Sequence, residues 1–309
     1  MKFSSAVSRG CLISFLVLSF GACTTTTVQQ KPVSPDVALP ASEDNGNNSR
    51  LAKLSAGELV HIGNGYLNGG NYQLANLHFA AALEKDPNSV AALSGLGEIQ
   101  RRGGEFNNAR RVFGKALEIS PQHLPALLGT ARISRAQGDN DEAIGFLNRA
   151  LAVDPDSVEI LTEMAQIYDG IGQELQAEPL YARVVALRPD MSSGHNNLGF
   201  NYMLQGRYTD AIAAFSRALA IEPGNKRAQN NLGAAYALNG QEENALQVFE
   251  KAVGKAAAYN NIGYIYMTQG EWNKAEQAFR QALDLNPRFY NRAQENLDRL
   301  NRMRAKPRP

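Results

Sequence analysis

Five prolines, Pro87, Pro121, Pro155, Pro189 and Pro223, stand 34 residues apart, and this interval constrains the fold more than any other feature. Other residue types keep the same step. A glycine recurs as Gly70, Gly104, Gly138, Gly172, Gly206, Gly240 and Gly270, with an alanine five residues after each, from Ala75 to Ala275. Bulky side chains follow at Phe79, Phe113, Leu147, Tyr181, Phe215, Phe249 and Phe279. The pattern Gly-x-x-Tyr occurs at Gly63/Tyr66, Gly199/Tyr202, Gly233/Tyr236 and Gly263/Tyr266. A period of this size means that one supersecondary unit is repeated, each copy burying its apolar face on the next.

Each recurring residue has a physical role in a pair of antiparallel helices. The mid-repeat glycine turns the chain with φ > 0 at a helix C-terminus. The glycine of Gly-x-x-Tyr and the alanine after the turn let two backbones approach, and the ring fills the gap between units. The proline ends one repeat and starts the next, where its missing N–H costs little. Across residues 56–288 the pattern resembles the tetratricopeptide repeat (TPR), which implies an all-α, right-handed solenoid of about seven helix pairs. We assign the array to residues 51–288 and a capping helix with a basic tail to 289–309, where Phe289, Ala293, Leu297 and Leu300 recur at helical spacing. One defect interrupts the rhythm. Gly233 and Gly263 are 30 residues apart, and Ala257 takes the proline's place. This predicts a tight turn near Gly254 and a changed superhelix angle between repeats six and seven.

The first residues read as an address. Lys2 and Arg9 precede the apolar run Cys11–Phe20, and Gly21-Ala22-Cys23 follows. This is the layout of a secretory signal peptide over residues 1–22, too short for a spanning helix. Small residues before a cysteine resemble the bacterial lipobox, with Phe20 where that motif usually has Leu. The resemblance implies acylation of Cys23; the alternative is a secreted chain cut after Ala22 with a free thiol. Thr24, where an Asp favours inner-membrane retention in enterobacterial lipoproteins, leans toward the outer membrane and its periplasmic face. Residues 23–50 read as the lipidated cysteine and a disordered tether. The stretch is rich in Thr, Pro, Ser and Asn and has no aromatic residue. Its coil would reach roughly 30 Å.

Charge and chemistry exclude several function classes. The formal net charge is +1, so no global field draws nucleic acid. Residues 288–309 hold seven cations against two acids, a tail that suits anionic lipid, an acidic partner or plain solvation. His61, His78, His123 and His195 fall at unrelated places in their repeats, and no metalloprotease, nucleophile-elbow or phosphate-loop motif occurs. Gly114-Lys115 lacks the rest of a phosphate loop, and Asp139–Glu142 reads as a turn and cap. No catalytic residue, metal or cofactor is expected.

In TPR arrays the first helix of each pair lines a concave groove, and these helices read as three zones. Glu98, Arg101, Arg102, Arg132 and Arg135 form a mostly basic zone; Glu159, Glu163 and Asp169 form an acidic one. The third holds Asn196, Asn197, Phe200, Met203, Leu204, Asn230, Asn231, Leu238, Asn260, Asn261, Tyr264 and Met267. Asn197, Asn231 and Asn261 each precede Leu-Gly or Ile-Gly, which predicts a ladder of amides able to grip both N–H and C=O of an extended peptide. The same asparagines also suit a purely structural role. Phe200, Met203 and Met267, as exposed apolar groups in a groove, favour a bound partner.

Tyr259-Asn-Asn-Ile-Gly-Tyr264, Leu285-Asn-Pro-Arg-Phe-Tyr290 and Arg292-Ala-Gln-Glu-Asn-Leu297 resemble the end of the TadD family, the TPR lipoproteins of the Flp (tight adherence) pilus assembly system. That resemblance implies an outer-membrane lipoprotein that localises or assembles the secretin or another part of the machine. The alternatives are a type IV pilus pilotin and a periplasmic adaptor delivering proteins to proteases or cell-wall enzymes.

Overall fold

The computed structural model describes residues 51–286 and 290–305. The signal peptide, Cys23, the tether, Phe289 and the last residues of the basic tail lie outside the described residues. The described residues are helical with no strand. Seven antiparallel pairs follow one another: α1 (Ala56–Asn68) with α2 (Tyr72–Lys85), α3 (Val90–Arg102) with α4 (Phe106–Ile119), α5 (Leu124–Ala136) with α6 (Asn140–Val153), and α7 (Val158–Gly170) with α8 (Glu174–Leu187). Then come α9 (Ser192–Leu204) with α10 (Tyr208–Ile221), α11 (Lys226–Leu238) with α12 (Glu242–Val253), α13 (Lys255–Gln269) with α14 (Trp272–Leu285), and a final α15 (Tyr290–Ala305).

Local chemistry sets the helix ends. Ser55 starts α1 with a capping box: Glu58 N–H donates to Ser55 Oγ at 3.3 Å, and Ser55 N–H donates to Glu58 Oε2 at 2.8 Å. Asp139 caps α6 by accepting from Glu142 N–H at 3.0 Å, as the turn reading of this acidic run expects. All seven mid-repeat glycines take positive φ, from +74° at Gly172 to +84° at Gly138. The predicted turn near Gly254 is present. This one residue, at φ +85° and ψ 162°, ends α12 and begins α13. The shortened link leaves α12 with 12 residues against 14 in α10.

The core is built from a size match between neighbouring helices. A Cβ on Gly233 would lie 2.7 Å from Phe249 Cε1, and one on Gly263 would lie 2.7 Å from Phe279 Cδ1. Repeat three carries Ala131 where these glycines stand and Leu147 where the rings stand, both buried. The smaller side chain makes room for the methyl.

The described residues form two compact units, 51–160 and 161–305. They differ at the position immediately before Leu-Gly. In the first unit Gly95 holds that position and Gly129 the matching place before Thr130-Ala131, and their added Cβ would lie 2.4 Å from Phe79 Cζ and 2.2 Å from Phe113 Cζ. In the second unit Asn197, Asn231 and Asn261 fill the same place. At Gly95 and Gly129 the inner helix lies too close to the preceding ring for an asparagine side chain.

Candidate protein-binding site

Within the second unit the first helices of successive pairs touch one another: α9 meets α11, α11 meets α13, and α13 meets α15. The asparagine doublets 196/197, 230/231 and 260/261 sit along this inner row. Asn231 Nδ2 donates to Asn196 Oδ1 at 3.0 Å, and Asn296 Nδ2 on α15 donates to Asn260 Oδ1 at 2.9 Å. Asn196 Nδ2 lies 3.5 Å from the Oδ1 of half-buried Asn197. The predicted ladder is thus drawn differently. Its rungs join the second asparagine of one repeat to the first asparagine of the repeat before, and they do not join Asn197, Asn231 and Asn261 to each other. Asn296 was missed by sequence reasoning, although its place 35 residues after Asn261 was a visible signal.

Three expected groove residues are corrected. Met203 is 0% exposed, Met267 3% and Tyr264 6%, all inside the core with Phe215, Phe249 and Phe279. Phe200 is half-buried against the same core. A helix of the inner row packs against flanking helices as well as its own partner, so the stripe of side chains left facing outward is narrower than the sequence period implies.

The charged zones are also largely paired. Arg101 donates to both oxygens of Glu98 at 2.7 and 2.8 Å, and Arg102 Nε donates to Glu98 Oε1 at 2.5 Å. Burial pushes the Glu98 carboxyl up, but these hydrogen bonds outweigh it and hold the carboxyl below its ordinary value. Arg132 pairs with Glu159, so a base of repeat three neutralises an acid of repeat four. Arg135 remains exposed. Asp169 belongs to a polar cluster. Asn201 Nδ2 donates to Asp169 Oδ1 at 2.7 Å and to the Glu174 carbonyl at 2.9 Å, and Gln205 Nε2 donates to Asn201 Oδ1 at 2.8 Å. Burial raises the Asp169 pKa to about 6, with hydrogen bonds from Asn201 and Tyr181 opposing it and the charge of Glu174 adding to it.

Among the described residues no three His, Cys, Asp or Glu gather as a metal site, and no helix is long and apolar enough to cross a membrane. Along the inner row of α9, α11 and α13, Asn196, Asn231, Asn260 and Asn261 are buried, while Asn197 and Asn230 are partly exposed.

Models of the tetratricopeptide repeat match residues 62–123, 102–149, 134–196, 190–254 and 256–289. Among proteins of curated function, none matches the chain by sequence. Solved structures share the fold. A tetratricopeptide repeat protein from Parabacteroides merdae is 21% identical, with 79% of this chain and 98% of that one covered at a TM-score of 0.56. The pilF protein of Pseudomonas aeruginosa is 17% identical, covering 69% and 96% at 0.57. YrrB, a TPR protein with an unusual peptide-binding site, is 19% identical, covering 65% and 97% at 0.50.

Proposed function

The chain belongs to the tetratricopeptide repeat family, and from that premise we propose that it holds an extended segment of a partner protein against the inner helices α9, α11 and α13. TPR folds are generally non-enzymatic scaffolds suited to protein–protein interaction. The observation that carries the proposal is the row of asparagine doublets, which brings main-chain-like donors and acceptors to one face. The finer reading is a lipoprotein, acylated at Cys23 and held at the periplasmic face of the outer membrane, that helps assemble or localise a Flp pilus secretin. The lipobox-like Gly21-Ala22-Cys23 and the TadD-like segments near the C-terminus support it.

Photo-crosslinking in cells tests both levels. A photo-reactive residue at Asn197, on the inner row, is expected to yield partner adducts, while one at exposed Arg217 on α10 is not. Adducts from Arg217 alone would overturn the inner-face reading. A secretin among the adducts supports the pilus role, whereas a peptidase or cell-wall hydrolase would replace it with the adaptor role. Labelling with a fatty acid that survives in wild type and vanishes in Cys23→Ser checks the anchor.

A further inference from the structure

The basic charge of this chain is gathered at one end. Residues 288–309 hold seven cations against Glu295 and Asp298, while the whole chain carries only +1, so the other 287 residues sum to −4. In the described part of this segment, α15 turns Ala293, Leu297 and Leu300 into the core and pairs Arg304 with Glu276 at 2.7 Å. Arg292, Arg299 and Arg302 stand at i, i+7 and i+10 on the opposite side, all exposed. Other bases of the same unit have acidic partners: Arg188 with Asp190, Arg207 with Glu178 and Asp210, and Arg280 with Glu276. The three arginines of α15 form no ion pair among the described residues. Asp298, one turn before Arg302, accepts from Gln294 Nε2 at 2.9 Å instead. Met303, the exposed large hydrophobic of this helix, stands on the same side.

We propose that this side of α15 rests on an anionic phospholipid surface, its arginines meeting headgroup phosphates and Met303 reaching between them. The arginines spread over ten residues, about 15 Å of helix. Such a row matches a plane of repeating phosphates. A site for an acidic protein needs a desolvated apolar centre, which one methionine does not supply. Each arginine near an anionic surface strengthens binding about fivefold, and the attraction dies away within a Debye length, about 10 Å at 0.1 M salt. The negative balance of the remaining chain is repelled by the same surface, so α15 is the part that approaches it. The inference needs neither the peptide-binding reading nor an acyl group on Cys23; an anchor there would raise the local concentration of α15 at the membrane.

The test uses the full chain with Cys23→Ser, so that no acyl group contributes, and a fluorophore placed at exposed Asn291 through an unnatural amino acid. Vesicles of phosphatidylcholine, alone or with phosphatidylglycerol, carry an acceptor lipid, and energy transfer reads how near α15 comes. Any hold of the apolar run Cys11–Phe20 on the vesicles is common to every variant. Transfer is expected with phosphatidylglycerol and not without it, and should vanish at roughly 1 M salt, where the Debye length is about 3 Å. Arg292→Gln, Arg299→Gln and Arg302→Gln together should weaken the binding that transfer reports about a hundredfold, while lysine at the same three places should retain it. All three side chains are exposed, so the melting curves of both variants are expected to match wild type. Equal transfer on the two lipids, or transfer unchanged in the glutamine variant, would overturn the proposal. A glutamine variant that keeps its transfer and loses a crosslinked acidic protein in cells would give this face to a protein instead.

Discussion

Asn231 Nδ2 donates to Asn196 Oδ1 across 3.0 Å of buried space, and this bond ties repeat six to repeat five. Asn261 occupies the equivalent place one repeat on and makes no such bond. Asn231→Ala should therefore leave a buried carbonyl unpaired and cost about 1–3 kcal/mol, while Asn261→Ala stays within about 0.5 kcal/mol. Urea denaturation of the two variants measures the difference. Equal losses would mean that the rung contributes nothing beyond the side chain's volume.

The glycine–phenylalanine match makes a prediction about compensation. Gly233→Ala pushes a methyl to 2.7 Å from Phe249 Cε1 and should destabilise by roughly 1–3 kcal/mol. Adding Phe249→Leu to that variant recreates the Ala131–Leu147 pair of repeat three. A double-mutant cycle on thermal or urea unfolding is expected to show favourable coupling, with the double variant more stable than additivity allows.

Asp169 predicts a pH dependence with a definite sign. Its pKa rises from 3.8 to about 6 on folding, so between those values the folded state binds more protons than the unfolded one. Stability from this group is present at low pH and is lost as pH rises through about 6. His123, whose pKa burial lowers from 6.5, works in the opposite sense. Comparing wild type with Asp169→Asn isolates the carboxyl. The variant should gain roughly 1–2 kcal/mol relative to wild type between pH 5 and pH 7, since the group is only half-buried. Melting curves at the two pH values check it.

Gly254 is the whole connection between α12 and α13, at φ +85°. An alanine there meets open space but a disfavoured backbone, so Gly254→Ala should cost about 1–2 kcal/mol without a steric clash. Gly145, a helical glycine with open space around it, serves as the control, because Gly145→Ala should be neutral or stabilising.

The helix pairs, their turns and the irregular link at Gly254 were legible in the sequence because each depends on a local requirement: a positive φ, a missing Cβ, a missing N–H. Surface exposure was harder to read. Met203 and Met267 look groove-facing from their spacing, yet inner-row helices pack on three sides and bury them. The Asn231–Asn196 rung spans 35 residues and pairs unequal positions of two repeats, so aligning the repeats by identical position hides it. Arg132 and Glu159 belonged to different charge zones by sequence and form one ion pair in the fold.

Helix α15 buries Ala293, Leu297 and Leu300 and is fastened by Arg304, whose Nη1 donates to Glu276 at 2.7 Å. Its other side carries Arg292, Arg299 and Arg302 to solvent. Helix α14 packs on this helix, whose outward side is polar and charged apart from Met303. A molecule cut before Tyr290 would leave the flank of α14 uncovered and is expected to self-associate. Light scattering that rises with concentration in the cut chain and not in the full one is the expected sign.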